Sequence, residues 1–140
     1  MTIPIPFPAR EACRSPVILV VDDDELHREL HCMMLRRAGY HAEAADGGEE
    51  ALRWIGDTRP ALVLTDLRMP GLDGFAFVER LRREPRLTGI PVIMVTGDAP
   101  EVAPARAMAA GLSALLPKPV EMTDLLSAVA EALVAPPRAA

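Results

Sequence analysis

The sequence has little cysteine, few aromatic residues, no excess of basic charge and no long apolar run. Its two cysteines, Cys13 and Cys32, match neither a disulfide framework nor a metal-ligand spacing. A net charge of −5 argues against the basic surface that nucleic-acid binding needs. No apolar run approaches the roughly 20 residues that span a bilayer, and the N-terminus does not resemble a signal peptide. These absences predict a reduced, cytoplasmic protein with no direct nucleic-acid contact and no membrane insertion.

The sequence does contain one domain's worth of hydrophobic residues between two proline-containing ends. Half of its 140 residues are hydrophobic and a quarter are charged, which is typical of a globular domain with a core. Residues 1–15 carry prolines at near-alternating positions, and these cannot donate to a regular ladder of hydrogen bonds. We therefore predict a flexible N-terminal arm over 1–15, a folded domain over 16–134 and a flexible tail over 135–140.

Strand-like and helix-like segments alternate through this domain. Aliphatic runs typical of buried strands occur at 17–21, 61–65, 90–95 and 114–116, with a weaker strand at 41–45. Between and after them, apolar residues at helical spacing include Leu26, Leu30, Met33 and Met34 in the first helix and Phe75, Val78 and Leu81 in the third. Further helices are predicted at 49–55, 105–110 and 122–134. Five strands alternating with five helices predict an α/β fold with a doubly wound parallel sheet.

Charged and hydroxyl residues come just after four of the five predicted strands. Asp22 and Asp23 follow the first strand, Asp66 the third, Thr96 the fourth and Lys118 the fifth. Ligands of open parallel sheets bind beyond the carboxyl ends of the strands. The fold by itself would therefore gather carboxylates, a hydroxyl and an ammonium at one edge of the sheet.

Such a group of residues suits phosphoryl transfer. Three carboxylates at one edge repel one another, and a hard cation such as Mg²⁺ would remove that repulsion. An Asp carboxylate can act as a nucleophile and form an aspartyl phosphate. The oxygens of the transferred group then need neutralising, which Mg²⁺, the Lys118 ammonium and the Thr96 hydroxyl could supply.

Four segments together resemble the receiver domain of bacterial two-component response regulators, of the stand-alone, chemotaxis-regulator-like type. They are V-V-D-D-D (20–24), L-T-D-L-R-M-P-G-L-D-G (64–74), M-V-T-G (94–97) and P-K-P (117–119). Each motif alone is weak, but all four in this order, each at a strand end, are specific. The resemblance covers about residues 17–134 and implies a flavodoxin-like (βα)5 fold with the strand order 2-1-3-4-5.

The resemblance also implies a role for each residue at the strand ends. These roles are Asp66 as phosphoacceptor, Asp22 and Asp23 as the acidic pair that binds Mg²⁺ with Asp66, Thr96 as switch hydroxyl, and Lys118 as the family's lysine. The Arg68 backbone carbonyl is implied as a further metal ligand, and a cis peptide is implied before Pro119.

Carried over as a whole, the resemblance implies a signalling module that is not an enzyme with a catalytic domain of its own. A histidine kinase or a histidine phosphotransfer protein would donate the phosphoryl group. The chain would then signal by protein contact, as a monomer or weak homodimer.

The sequence departs from the family pattern at two places. Leu115 stands three residues before the lysine, where many receivers have a Tyr or Phe whose ring moves with the switch hydroxyl. Pro100 and Pro104 fall where the fourth helix normally begins. If Pro104 is the first helical residue, its missing N–H costs nothing, and a short fourth helix after a long loop from Gly97 is expected.

Several residues have simpler interpretations that do not involve the site. Asp24 is expected to cap the first helix, and Cys32 is expected to lie in or near the core. His27 and His31 lie one helical turn apart, but no third ligand is evident, so a metal site there is not expected.

Arg68 and Asp98 each lie two residues after a strand-end residue of the predicted site. They have opposite charge and are predicted to lie at its rim, where they could reach across the phosphoryl group. The alternative, that both are independent solvated charges, stays open.

Two other functions stay open. An aspartyl-phosphate phosphatase of the haloacid-dehalogenase type needs a second acid two residues after the nucleophile, where this chain has Arg68. A phosphorylation-independent pseudo-receiver would be expected to have lost a site residue, and none is lost.

Overall fold

Strands and helices alternate along residues 17–134, the part of the chain that the computed structural model describes. The strands are β1 (Val17–Val21), β2 (His41–Ala45), β3 (Leu62–Thr65), β4 (Val92–Thr96) and β5 (Ala114–Pro117). The helices are α1 (Glu25–Arg37), α2 (Gly48–Asp57), α3 (Gly74–Arg83), α4 (Pro104–Ala109) and α5 (Met122–Val134), with short 3₁₀ turns at Pro85–Leu87 and Ala99–Glu101. The predicted N-terminal arm and C-terminal tail lie outside the described residues.

The five strands form a parallel sheet in the order β2-β1-β3-β4-β5. This confirms the predicted flavodoxin-like, doubly wound α/β fold. The strand order reverses between β1 and β3, so their carboxyl ends flank the crevice at which such sheets bind ligands. Val21 pairs with Thr65 in the register of these two strands. The next residues, Asp22 and Asp66, therefore emerge side by side at the carboxyl edge, meaning the edge formed by the carboxyl ends of the strands.

Both faces of the sheet are covered, because successive side chains of each strand point to opposite faces. In β1, Leu19 and Val21 pack into one core layer with residues of α2 and α3. Ile18 and Val20 pack into the other layer with residues of α1 and α5. This two-sided burial explains why the strands are continuous aliphatic runs instead of alternating patterns.

Most of the apolar stripe that marks α1 in the sequence does not face the sheet, and only its Met34 packs against a core layer. Its solvent-exposed members are Leu26, Leu30 and Met33, whereas the buried residues of the helix are His31, Cys32 and Leu35. Two arginines anchor the helix in this rotation, since Arg28 donates to the Asp22 carbonyl at 2.8 Å and Arg36 to the Ala42 carbonyl at 2.7 Å. Helical spacing predicted the helix, but it did not identify the side that the sheet would cover.

The segment before β4 also corrects the sequence prediction. The strand begins at Val92 and not at residue 90. Ile90 is buried in a turn, where its N–H donates to the Leu87 carbonyl at 3.2 Å. Its own carbonyl accepts a hydrogen bond from the Arg82 guanidinium at 2.7 Å. The aliphatic run thus includes a residue whose backbone is held by a turn and an arginine.

The region between β4 and α4 follows the expectation from the prolines. Pro104 is the first residue of α4, which has only six residues. The preceding loop is partly ordered, because Ala99–Glu101 forms a 3₁₀ turn that the sequence did not predict. Within residues 17–134, no helix has the length and apolar character needed to cross a bilayer.

Candidate functional site

Three carboxylates meet at the carboxyl edge of the sheet. One oxygen from each of Asp22, Asp23 and Asp66 lies within 4.8 Å of the other two. Asp22 and Asp66 are buried, whereas Asp23 is exposed. The parallel register of β1 and β3 produces this grouping, since the Asp66 N–H donates to the Val21 carbonyl at 2.9 Å.

The Lys118 ammonium reaches into this group from the end of β5. Its Nζ lies 2.9 Å from Asp22 Oδ2 and 3.3 Å from Asp66 Oδ2. The lysine backbone is tied to the neighbouring strand, because its N–H donates to the Thr96 carbonyl at 3.0 Å. The peptide between Lys118 and Pro119 is cis, as the resemblance implied. Residues from three strands, distant in sequence, therefore share one site.

The electrostatics of the site are unbalanced. Burial raises the pKa of Asp66 above its usual value; Lys118 opposes this shift, and the neighbouring Asp22 charge adds to it. A single ammonium thus faces three carboxylates. Carboxylate oxygens are the protein ligands that Mg²⁺ prefers, so the donor set and its excess negative charge both fit a hard divalent cation.

Local contacts hold the Asp66 carboxylate in place. Its Oδ1 accepts a hydrogen bond from the Leu67 N–H at 2.7 Å, and the buried Thr65 hydroxyl donates to the Asp66 carbonyl at 2.9 Å. Gly74 approaches this backbone so closely that a Cβ there would collide with the Asp66 carbonyl oxygen. Gly71 in the same segment has positive φ, at 77°, whereas Gly74 does not. Gly74 is needed for close packing beside the site.

Thr96 is buried at the end of β4, where the sequence placed it. Its hydroxyl oxygen accepts a hydrogen bond from the Asp98 N–H at 3.1 Å. The hydroxyl is thus engaged with the loop that follows β4. Its role as a switch stays a prediction.

A second ion pair lies at the rim of the site. Arg68 Nε and Asp98 Oδ2 are 2.6 Å apart, so of the two alternatives the structure shows the bridged pair. The hydrogen bond to Asp98 raises the pKa of Arg68 above its ordinary value. Both side chains are solvent-exposed, so the pair lies outside the buried part of the site. Its effect on the phosphorylated state stays a prediction.

His27 belongs to this site, which the sequence analysis missed. Its Nδ1 lies 3.0 Å from Lys118 Nζ. The neighbouring His31 is buried and stacks on His27, with 6.3 Å between ring centroids. Neither histidine joins a potential metal cluster among the described residues. The only available signal was the position of His27, in the first turn of α1 just after the acidic run.

Two other expectations are confirmed outside the reacting groups. Asp24 caps α1, accepting hydrogen bonds from the N–H groups of Leu26 and His27 at 2.9 and 3.2 Å. Cys32 is buried, and burial raises the pKa of its thiol. Leu115, at the position where many receivers have an aromatic ring, is half-buried and packs against the core layer formed with α2 and α3.

Comparisons with known proteins agree with this architecture. The family model of the response regulator receiver domain matches residues 18–130. The chain is 32% identical over 114 residues to the DNA-binding dual master transcriptional regulator RpaA of Synechocystis, covering 81% of this chain and 47% of RpaA. It is 36% identical over 120 residues to a 14.6 kDa protein of Leptolyngbya boryana, covering 86% of this chain and 92% of that protein. Chemotaxis protein CheY4 of Vibrio cholerae superposes with a TM-score of 0.79 at 30% identity, covering 86% of this chain and 100% of CheY4.

The chain therefore belongs to the response regulator receiver domain family, whose members act in two-component signalling. The fold and the family that the four motifs indicated are both confirmed. The match spans 47% of RpaA and 49% of the phosphate regulon transcriptional regulatory protein PhoB of Escherichia coli. The chain thus spans about half the length of these two regulators, and the DNA binding in the name of RpaA is a property of that protein.

Proposed function

We propose that this chain accepts a phosphoryl group on Asp66 as the receiver of a two-component or phosphorelay system. The observation that carries the proposal is the meeting of Asp22, Asp23 and Asp66 with the Lys118 ammonium at the carboxyl edge. Asp66 contacts Lys118 at 3.3 Å, and its carboxylate is held by the Leu67 N–H. This arrangement places a fixed nucleophile beside a cation that can neutralise the incoming group.

Each residue has a defined task in the proposed reaction. An Asp66 carboxylate oxygen forms the bond to phosphorus, and the bond from phosphorus to the donor's nitrogen breaks, its electron pair leaving with that nitrogen. Lys118 donates a hydrogen bond to a phosphoryl oxygen, and the Thr96 hydroxyl donates to another. Asp22, Asp23, Asp66 and the Arg68 backbone carbonyl would hold Mg²⁺. When bound, Mg²⁺ would neutralise charge on the phosphoryl oxygens.

The proposed donors are a histidine kinase or a histidine phosphotransfer protein, and the proposed output is a protein contact made in the cytoplasm by a monomer or weak homodimer. The loop 97–104 and α4 are the proposed readout segment. This loop directly follows Thr96, whereas Leu115 lacks the ring that many receivers use. On phosphorylation, amide exchange should change most between residues 97 and 110, and a change confined to α1 would contradict this readout.

Incubation with phosphoramidate or acetyl phosphate and Mg²⁺ tests the proposed function. We expect an acid-stable, base-labile phosphate that Asp66→Asn and EDTA both abolish. Asp57→Asn is a matched control, because Asp57 is an exposed carboxylate at the end of α2. A pseudo-receiver would take up no phosphate, and a phosphatase would release phosphate from many monoesters with rapid turnover. Either result, or normal labelling of Asp66→Asn, would contradict the proposal.

A further inference from the structure

The Lys118 ammonium has three hydrogen-bond acceptors around it. An ammonium carries three N–H donors and no acceptor. Its neighbours are Asp22 Oδ2 at 2.9 Å, His27 Nδ1 at 3.0 Å and Asp66 Oδ2 at 3.3 Å. Only 13% of the Lys118 side chain is exposed. Three donors therefore meet three protein acceptors on a side chain that is largely withdrawn from solvent.

The distances around His27 Nδ1 indicate its tautomer. Lys118 Nζ, which can only donate, is the nearest group at 3.0 Å, whereas carboxylate oxygens of Asp24 and Asp22 lie at 3.7 and 4.0 Å. We therefore assign Nδ1 as the ring nitrogen without a hydrogen. The ring hydrogen then lies on Nε2. His27 thus acts as an acceptor. Nothing in the position of a half-exposed histidine at the start of a helix requires that role.

We propose that His27 is a positioning residue for phosphoryl transfer, whose Nδ1 holds the Lys118 ammonium over Asp66. This inference rests on the proposed function, because it assigns the position of the cation that would meet the phosphoryl oxygens. His27 contacts neither of the reacting atoms. Its effect passes through Lys118.

The reaction itself explains why this third acceptor matters. Asp66 would become esterified to phosphorus, and Asp22 is a proposed metal ligand. Both carboxylates would therefore change partners during the reaction. His27 would not, so its bond is the one of the three that can direct Lys118 both before and after transfer. A cation that is already in place needs no reorganisation when charge develops.

The surroundings of His27 fix its ring. Asp24 accepts hydrogen bonds from the N–H groups of Leu26 and His27, which fixes the first turn of α1. The His31 ring lies behind the His27 ring, with an interplanar angle of 22°. Burial lowers the pKa of His31 to about 4, so at neutral pH His31 carries no charge that would repel Lys118. The imidazole is therefore both stacked and anchored through its backbone.

A pair of substitutions at position 27 tests the proposal. His27→Leu removes the acceptor and keeps apolar bulk, whereas His27→Asn keeps an acceptor, since its Oδ1 is attached to Cγ as Nδ1 is in histidine. His41→Leu is the matched control, because His41 is exposed at the start of β2. Phosphoramidate serves as donor, so that no kinase contact with α1 enters the measured rate. Thermal unfolding of each variant checks that it folds.

The rate constant of Asp66 phosphorylation should fall about three- to tenfold in His27→Leu, as expected for a partly solvated hydrogen bond to a charged group. His27→Asn and His41→Leu should stay within about twofold of wild type. Wild-type rates in His27→Leu would overturn the positioning role. Equal losses in the leucine and asparagine variants would also overturn it, because an acceptor would then not restore the function. If the wild type itself takes up no phosphate, the proposed function fails instead.

A measurement on the unmodified protein gives an independent test. In ¹⁵N-histidine spectra at mildly alkaline pH without metal, His27 should be the Nε2–H tautomer. Lys118 is the single lysine of the chain, so Lys118→Met removes the proposed donor and should shift the His27 Nδ1 resonance. An Nδ1–H tautomer, or a resonance indifferent to Lys118→Met, would overturn the inference even if the variants at position 27 did not fold.

Discussion

Two ion pairs lie at the same edge of the sheet and differ mainly in their burial. The floor of the site consists of Lys118, Asp22 and Asp66, whose side chains are 13, 3 and 10% exposed. The rim pair consists of Arg68 and Asp98, which are 73 and 38% exposed. The rim pair has the shorter contact, 2.6 Å against 2.9 Å. Distance alone would therefore suggest that the rim pair contributes more to stability than the floor does.

Desolvation decides how much each pair matters. Charges in the floor have lost most of their water, so removing one partner leaves another charge uncompensated. Charges at the rim keep their water, which weakens the attraction and replaces a lost partner at little cost. The floor also holds more carboxylates than cations. Burial, with a smaller contribution from the Asp22 charge, raises the pKa of Asp66, and Lys118 opposes that shift. The floor should therefore govern stability, whereas the rim can act only on rates.

Replacing the cation of each pair should show the difference between the floor and the rim most clearly. Lys118→Met leaves Asp22 and Asp66 buried without their ammonium, and we expect the free energy of unfolding to fall by about 3 kcal/mol in EDTA. Arg68→Met removes a cation with a shorter contact and should leave the melting temperature unchanged. Urea unfolding of both variants provides the measurement. Equal losses would show that burial does not separate the two pairs.

Removing the surplus carboxylate should change the free energy of unfolding in the opposite direction and by a smaller amount. Asp66→Asn relieves the repulsion with Asp22 and leaves Lys118 paired, so we expect a gain of about 1 kcal/mol at neutral pH in EDTA. Asp22→Asn should gain less, because Asp22 is the closer partner of Lys118. Thermal unfolding in EDTA measures both effects. A lower melting temperature for Asp66→Asn would contradict a crowded floor.

The pH dependence of this gain follows from the raised pKa of Asp66. The folded wild type binds a proton there more readily than the unfolded chain, so it gains stability as the pH falls through that pKa. The advantage of Asp66→Asn should therefore be full above the folded pKa. It should disappear below the usual Asp value of about 3.9. If the stability gain of Asp66→Asn over the wild type grew as the pH fell, this prediction would be wrong.

The rim pair should produce the smallest effects, and these should be kinetic. Hydrolysis of the proposed phosphate needs a water in line with the bond from Asp66 to phosphorus, and a closed Arg68–Asp98 bridge would occupy that approach. Arg68→Ala and Asp98→Ala should each speed dephosphorylation, by less than about fivefold. The double variant should be no faster than either single variant, because both remove the same bridge. High salt should also speed hydrolysis in the wild type.

Dephosphorylation rates at low and high salt measure these effects. Additive effects of the two substitutions would show that Arg68 and Asp98 act as independent charges. Salt-independent hydrolysis of the wild type would exclude the bridge as a barrier to water.

Much of the fold was predictable because its signals are local. Buried strands such as β1 and β3 are aliphatic runs that no solvated segment would keep, and Pro104 marks the start of α4 through its missing N–H. The grouping of Asp22 and Asp66 was also predictable, since a parallel sheet places all strand ends at one edge. Interpretation of the sequence failed where a neighbour's side chain holds the backbone, as Arg82 holds the Ile90 carbonyl.

The sequence by itself determined the alternation of strands and helices, the family and the set of groups at the carboxyl edge. Each of these depends on residue type and spacing along the chain. Only the tertiary structure decided that α1 turns Leu26 outward and His31 inward, and that His27 meets Lys118 across 91 residues of sequence. The physical reason is that helical periodicity leaves the rotation of a helix open. Packing against the sheet and the hydrogen bond from Arg28 to the Asp22 carbonyl then fix that rotation.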